Sequence, residues 1–175
     1  MRRITSNYQA REKLPDGRQV LVRAIRADDR RELHEEFLKL SKTTVRDRFF
    51  NVKMDLSPEE LTYFTEVDFS SHVALVAVME IDSVPRLVGT GRFVRIRENP
   101  DHSEFAITIA DALQGQGVGR VLLKHLVRCA RRLGVSRLEA SVLPQNSRMS
   151  KLLHGSGLPL VSSMRDGIVT YSLTL

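Results

Sequence analysis

The sequence predicts a mixed α/β fold, and three observations carry that prediction. Hydrophobic periodicity changes along the chain in the order strand, two or three helices, three strands, helix, strand, helix, two strands. Residues 73–79 (VALVAVM) form a continuous apolar run, as a central strand covered on both faces requires. A β-branched run stops at Asp111 and passes, through glycines at 115, 117 and 119, straight into an apolar-periodic helix. The expected architecture is a mixed, mostly antiparallel sheet with helices on both faces.

Residues 1–12 are polar without a usable period and are expected to be a flexible N-terminal tail; residues 13–175 are expected to be one domain. Pro15-Asp16-Gly17 signals a turn. Residues 19–26 then alternate, with Val20, Val22 and Ala24 on one face. Asp28 or Asp29 can cap a helix reaching about Leu40, whose Leu33, Phe37 and Leu40 share a face. A short helix is expected from Thr44 to Phe50. Ser57-Pro58-Glu59-Glu60 starts the next one, with an N-cap, a proline in the first turn and a glutamate at the third position, and carries Leu61 and Phe64 inward. Residues 72–80, 87–97 and 103–110 are expected to form an antiparallel meander, turning at Val84-Pro85-Arg86 and Asn99-Pro100-Asp101. The helix from Gly117 sets Val118, Val121, Leu122, Leu126, Cys129 and Leu133 at helical spacing and ends at Gly134. Residues 136–143 read as a strand, and Asn146 suits the cap of a helix from Ser147. Strands 159–164 and 168–174 flank the turn Arg165-Asp166-Gly167.

Composition narrows the function classes. No run of eighteen apolar residues exists and the N-terminus lacks a secretory stretch, so no membrane association is expected. The one cysteine, Cys129, cannot pair within the chain, which suits a cytoplasmic protein. The net charge is +6, but the basic residues are dispersed and poorly interleaved with aromatics, so no nucleic-acid partner is expected. The histidines at 34, 72, 102, 125 and 154 have no metal-ligand spacing, and no metal is expected. Cys129 lies on an apolar helix stripe and reads as packing, His154 as a surface or capping residue, and Asp68 with His72 as local turn groups.

A strand feeding a helix through glycines makes an anion cradle: the first amides of the helix have no internal partner, the helix dipole adds positive charge, and missing Cβ atoms let a phosphate approach. A dinucleotide fingerprint fails here because position 120 is Arg, and no Gly-Lys-Ser or Gly-Lys-Thr exists for a nucleotide-hydrolysing loop. What remains is Gln114-x-x-Gly117-x-Gly119. This resembles the pyrophosphate loop of the GCN5-related N-acetyltransferases (GNAT), which bind acetyl-CoA. The resemblance continues at Asn146 and along Ser147–Leu158, similar to the family's N-x-x-A-x-x-L-Y-x-x-x-G-F, with Leu153 where many relatives carry Tyr. Residues 14–29, Thr44–Phe50, Ser103–Ile107 and Ile109–Gly119 look like the bacterial Pat-type protein lysine acetyltransferases, and the likeness covers about residues 14–174.

The resemblance implies a single GNAT domain over 13–175 and a parallel pair, 103–110 and 136–143, that splays apart, with a β-bulge expected around Ile107–Ile109. It implies a co-substrate site formed by Ile107, Thr108, Ile109, Gln114, Gly115, Gln116, Gly117, Val118, Gly119, Arg120, Asn146 and Met149. It implies acetyl-CoA as donor and a lysine ε-amine on a protein, such as an acyl-CoA synthetase, as acceptor; the chain is expected to be a monomer or homodimer. A small-molecule amine is the alternative acceptor, and a CoA-binding sensor without turnover the alternative class. The amine must be neutral to attack, and a lysine amine with a pKa near about 10.4 seldom is at neutral pH. Glu104 is the candidate general base, and its apolar neighbours Phe105, Ala106 and Ile107 are expected to desolvate it in part and raise its pKa. The competing reading of Glu104 is a strand-end carboxylate paired with Arg92 or Arg95. A backbone N–H near Ile109 is expected to stabilise the developing oxyanion. Arg120 reads either as a phosphate contact or as a solvated helix residue.

Overall fold

Eight strands are joined edge to edge in one sheet in the computed structural model, which describes residues 6–175. They are β1 (Gln9–Lys13), β2 (Gln19–Ala24), β3 (His72–Ile81), β4 (Val84–Ile96), β5 (Asn99–Ile109), β6 (Arg137–Val142), β7 (Leu160–Arg165) and β8 (Ile168–Thr174), in the spatial order β1-β2-β3-β4-β5-β6-β8-β7. All neighbours are antiparallel except β5 and β6, which are parallel. The helices are α1 (Arg30–Lys39), α2 (Lys42–Phe49), α3 (Pro58–Thr65), α4 (Val118–Arg132) and α5 (Ser147–His154).

Side-chain alternation gives the sheet two apolar faces, and each has its own core. On one face Val22, Val73, Leu75, Phe93, Phe105 and Leu138 pack with Leu122 and Leu126 of α4 and Leu153 of α5. On the other, Ala74, Val76 and Leu87 pack with Leu33 and Phe37 of α1, Val45 of α2, and Leu61 and Phe64 of α3. β3 is sealed by both layers, which explains its unbroken apolar run. α4 lies so close to β4 that a Cβ on Gly91 would stand 2.9 Å from Leu126 Cδ1. Leu126 is fully buried there, worth about 1.5–3 kcal/mol relative to an exposed side chain.

Several expected boundaries move. Residues 9–12, expected in a tail, belong to strand β1, paired with β2 through the turn at Pro15-Asp16-Gly17; residues 1–5 of that expectation lie outside the described residues. β1 lacks an apolar face because it is a sheet edge, and polar groups fix it instead. Glu12 accepts from Lys124 Nζ at 2.9 Å and meets His125 Nε2 at 2.9 Å, while Tyr8 Oη meets His125 Nδ1 at 2.5 Å. The β3–β4 turn is Asp82-Ser83, with φ of 51° and 62°, and not Val84-Pro85-Arg86. Two left-handed residues match the twist of a hairpin. Pro85 fits within β4 because that end of the strand extends beyond β5, whose pairing with β4 begins at Gly89↔Ile109. Asn99-Pro100-Asp101 is not a turn either. The chain reverses at Arg97-Glu98, and Pro100 and Asp101 extend β5 opposite the register shift at Arg95/Ile96, where no regular ladder needs the missing proline N–H.

Candidate functional site

β5 and β6 pair over only three rungs, His102↔Arg137 to Glu104↔Glu139. Beyond them β5 stays with β4 as far as Ile109, and β6 stays with β8 as far as Val142, so the two strands part. The expected splay is therefore present, but the bulge expected at Ile107–Ile109 is absent: the β4–β5 register runs unbroken from Arg95↔Ser103 to Gly89↔Ile109. Separate partners on the outer sides pull the strands apart without it. Ala110 N–H donates to Val88 O at 2.9 Å. By the alternation of an antiparallel ladder, the N–H and C=O groups of Phe105, Ile107 and Ile109 then face the gap. The Ile109 carbonyl is taken by Gln114 Nε2 at 3.0 Å; the last rung, Glu104↔Glu139, still sets β6 beside the Phe105 N–H, and past it no strand stands beside Ile107.

The gap opens into a cleft of about 1530 Å³, lined by Glu104, Ile107, Thr108, Ile109, Gln114, Gly115, Gln116, Gly117, Gly119, Arg120, Asn146 and Met149. Of the residues expected to contact a co-substrate, only Val118 is missing from this lining. Its side chain is fully buried in the α4 core, and only its backbone can take part. Gly117 caps α4 with φ at 99° and without a side-chain hydrogen bond, so the first amides of a fifteen-residue helix have no capping side chain. Gly115 is also left-handed, at 76°, with open space where a Cβ would stand. Such a turn fits a diphosphate.

The two glutamines of the motif brace the loop. Gln114 accepts from Arg148 and donates to Thr44 Oγ1 at 3.1 Å as well as to Ile109 O. Gln116 accepts from Arg18 and donates to Ala112 O at 2.7 Å. Asp111 accepts from Ser41 N at 2.9 Å and Thr44 Oγ1 at 2.7 Å, tying the start of α2 to the same loop. Asn146 Oδ1 accepts from Met149 N at 3.0 Å and thus caps α5 at the rim of the cleft.

Glu104 stands at the last shared rung, on the cleft. Among the described residues it forms no ion pair. Arg92 turns to Phe64 O and His72, and Arg95 to Ser70 O, Pro100 O and Leu133 O. The expected partial desolvation is not found: Glu104 is exposed, because its buried neighbour Phe105 points to the opposite face.

Other residues fall outside the site. Leu153 is fully buried in the α4–α5 core and does not line the cleft. His154 Nδ1 lies 2.8 Å from its own helix's Ser150 O, and its ring meets the edge of Tyr171. Cys129 is buried, which pushes its thiol up to about 11. Asp68 accepts from the Ser70, Ser71 and His72 amides, as a turn residue does. No cluster of metal-ligating side chains occurs among the described residues, and no helix there is long and apolar enough to cross a membrane. The cleft also holds residues the sequence did not single out, Lys13, Lys124, Arg148, Lys151, Arg48, Tyr63 and Glu139, together with Arg92, which the sequence raised only as a partner for Glu104. Arg148 was within reach of sequence reasoning, being two residues past the Asn146 cap; dispersed arginines on β4 and α2 gave no signal.

A family model described as an acetyltransferase (GNAT) domain matches residues 19–158. Among curated proteins, acetyltransferase PA5475 of Pseudomonas aeruginosa is 35% identical over 141 residues, covering 81% of this chain and 75% of that protein. Acetyltransferase Pat of Mycolicibacterium smegmatis is 33% identical over 120 residues, 69% of this chain but only 35% of Pat, so the match spans about a third of that relative. Among solved structures, the GNAT domain of S. lividans PAT superposes with a TM-score of 0.87 at 33% identity, covering 95% of this chain and 97% of that one.

Proposed function

Because the chain belongs to the acetyltransferase (GNAT) family, we propose that it transfers the acetyl group of acetyl-CoA to the ε-amine of a lysine on a protein, with Glu104 as general base. The observation that carries this reading is an exposed carboxylate without an ion-pair partner at the rung where β5 and β6 separate. The likeness to Pat and to the GNAT domain of S. lividans PAT supports protein lysine over other acceptors.

Acetyl-CoA supplies an activated thioester; the chain supplies the rest. The amides from Gly117 onward and the cations Arg120, Arg148 and Lys151 suit its phosphates. The gap beside Ile107 and Ile109 offers peptide groups without a neighbouring strand to an extended, amide-bearing arm, and their N–H groups serve where negative charge develops on the acyl oxygen. At neutral pH only about one lysine amine in a few thousand is uncharged. Glu104 takes the proton of the attacking nitrogen, directly or through water, as the new C–N bond forms. The C–S bond breaks, and the CoA thiol, far more acidic than an amine, leaves without needing a hydroxyl donor at position 153.

Glu104→Gln tests the reading. Acetyl-CoA affinity by calorimetry should stay within a few-fold, while turnover falls by ~10²–10⁴. Equal turnover of variant and wild type removes Glu104 as the base. The acceptor is tested by mass spectrometry of acyl-CoA synthetases and whole lysates treated with labelled acetyl-CoA; acetylation of small amines with every protein untouched ends the protein-lysine reading.

A further inference from the structure

Arg92 lies in the middle of β4, where both neighbouring strands are present and a charge is costly. It is only 6% exposed. Its guanidinium lies 4.5 Å over the Phe64 ring, with Nη1 3.2 Å from His72 Nε2 and 3.3 Å from Phe64 O. These are contacts to neutral groups. Arg48, in the last turn of α2, also has no carboxylate partner among the described residues, and its guanidinium sits 5.0 Å over the Phe49 ring. Other arginines contrast with this pair: Arg23 is forked onto Asp29 at 2.7 Å, and Arg31 holds Glu35 at 2.8 Å. Asp47, beside Arg48 in sequence, has its Oδ1 buried without a hydrogen-bond partner, and among the described residues no ion pair joins it to either arginine. Burial, then the nearby Arg48 cation, pull Arg92 down to about 9, which leaves it charged at neutral pH.

Both arginines line the cleft that Glu104 lines. Arg92 is partnered with Ala106 and Val94 with Glu104, so Arg92 and Glu104 are diagonal neighbours on one face, about 7–8 Å apart at the backbone. That face is the one covered by α1–α3, opposite α4, whose N-terminus is the phosphate cradle. With the donor held from the α4 side, the acceptor approaches from the α2–α3 side. Two guanidinium groups that line one cleft and have no ion-pair partner among the described residues match a carboxylate, which accepts from both with charge-assisted hydrogen bonds.

We propose that Arg48 and Arg92 form a carboxylate subsite for the acceptor, so that lysines with Asp or Glu within two residues are the preferred targets. The inference rests on the acceptor assignment made above. In its general form the ligand is an amine carrying a nearby carboxylate, either an acidic flanking residue or the α-carboxylate of a free amino acid.

The test compares kcat/KM for matched lysine peptides with Glu or Gln at the flanking positions, in wild type and in Arg48→Gln. Wild type should favour the Glu peptide about tenfold or more, and the ratio should fall to within about twofold of unity in the variant. A merely structural Arg48 would lower both peptides together and leave the ratio intact, which overturns the proposal. A ratio near one in wild type, with both peptides acetylated, also overturns it while the protein-lysine reading stands. If no peptide is acetylated but a free amino acid is favoured over its amide, with the preference lost in Arg48→Gln, the subsite stands and the protein-lysine reading falls. A preference for succinyl-CoA over acetyl-CoA that is lost in Arg48→Gln would assign the carboxylate to the donor and overturn the acceptor site. Binding is read separately by titrating the acetyl-lysine forms of the two peptides into the CoA-bound protein; equal dissociation constants in wild type overturn the subsite whatever the turnover.

Discussion

Gly117 meets two constraints at one position. Its φ of 99° disfavours any side chain, and a Cβ would stand 3.0 Å from Pro15 Cδ in the β1–β2 turn. Gly117→Val therefore has to shift either the turn or the first amides of α4, at a conformational cost of about 1–2 kcal/mol before any ligand is present. Acetyl-CoA affinity by calorimetry should fall at least about tenfold while circular dichroism keeps its helical signal; unchanged affinity would mean that these amides do not hold the donor. The glycines could be read from the letters because the conformation they permit is local. The tasks of Gln114 and Gln116 could not be, since an amide side chain suits a ligand and a loop brace equally, and partners such as Arg18 and Arg148 are distant in sequence. Arg92 was hidden for a related reason: in a strand, alternation says which face a residue takes, not what lies across from it.

At the scale of elements, the best-read signal was the capping box opening α3. Ser57 Oγ accepts from Glu60 N at 3.2 Å, and Glu60 Oε2 accepts from Ser57 N at 2.9 Å. Ser57→Ala should cost about 1 kcal/mol and lower the thermal midpoint by roughly 2–4 °C. An unchanged midpoint would show that Lys53, which pairs with Glu60 at 2.7 Å, holds this helix start without the serine. Because α3 carries Tyr63 to the cleft and sets Phe64 beneath Arg92, loosening it should be felt there too. Strands with one buried face and helices with an apolar stripe were legible; strand ends and the edge strand β1 were not. β1 is ordered by Tyr8, Glu12, Lys124 and His125, contacts that join residues more than a hundred positions apart. The two misplaced turns contained proline, which marks a turn only where a ladder would need its missing amide proton. Pro85 and Pro100 both sit where none does.

At the scale of the whole molecule, buried imidazoles shape the response to acid. Burial, followed by repulsion from Arg92, lowers His72 to about 4, and burial lowers His125 as well. An unfolded histidine titrates near about 6.5, so between there and about 4 the unfolded chain binds the extra proton. Stability from His72 is thus complete above about pH 6.5 and drains as pH falls toward 4, by up to about 3 kcal/mol. Urea unfolding at pH 7 and pH 4.5 should show a smaller acid loss in His72→Gln than in wild type. Equal losses would place the proton uptake elsewhere, with His125 the next candidate.

The sheet is in effect two antiparallel blocks, β1 to β5 and β6 to β8, stitched by the three parallel rungs that end at Glu104 and Glu139. The line along which a donor would insert is therefore also the line with the fewest cross-links. Backbone pairing is thinnest there, and the α4-side core, in which Leu138 and Leu173 pack with Leu122 and Leu126, holds the two blocks together. A pantetheine arm lying in that seam would act as a missing strand, adding backbone partners where the sheet has fewest, so that recognition of the donor and stiffening of the scaffold become the same event.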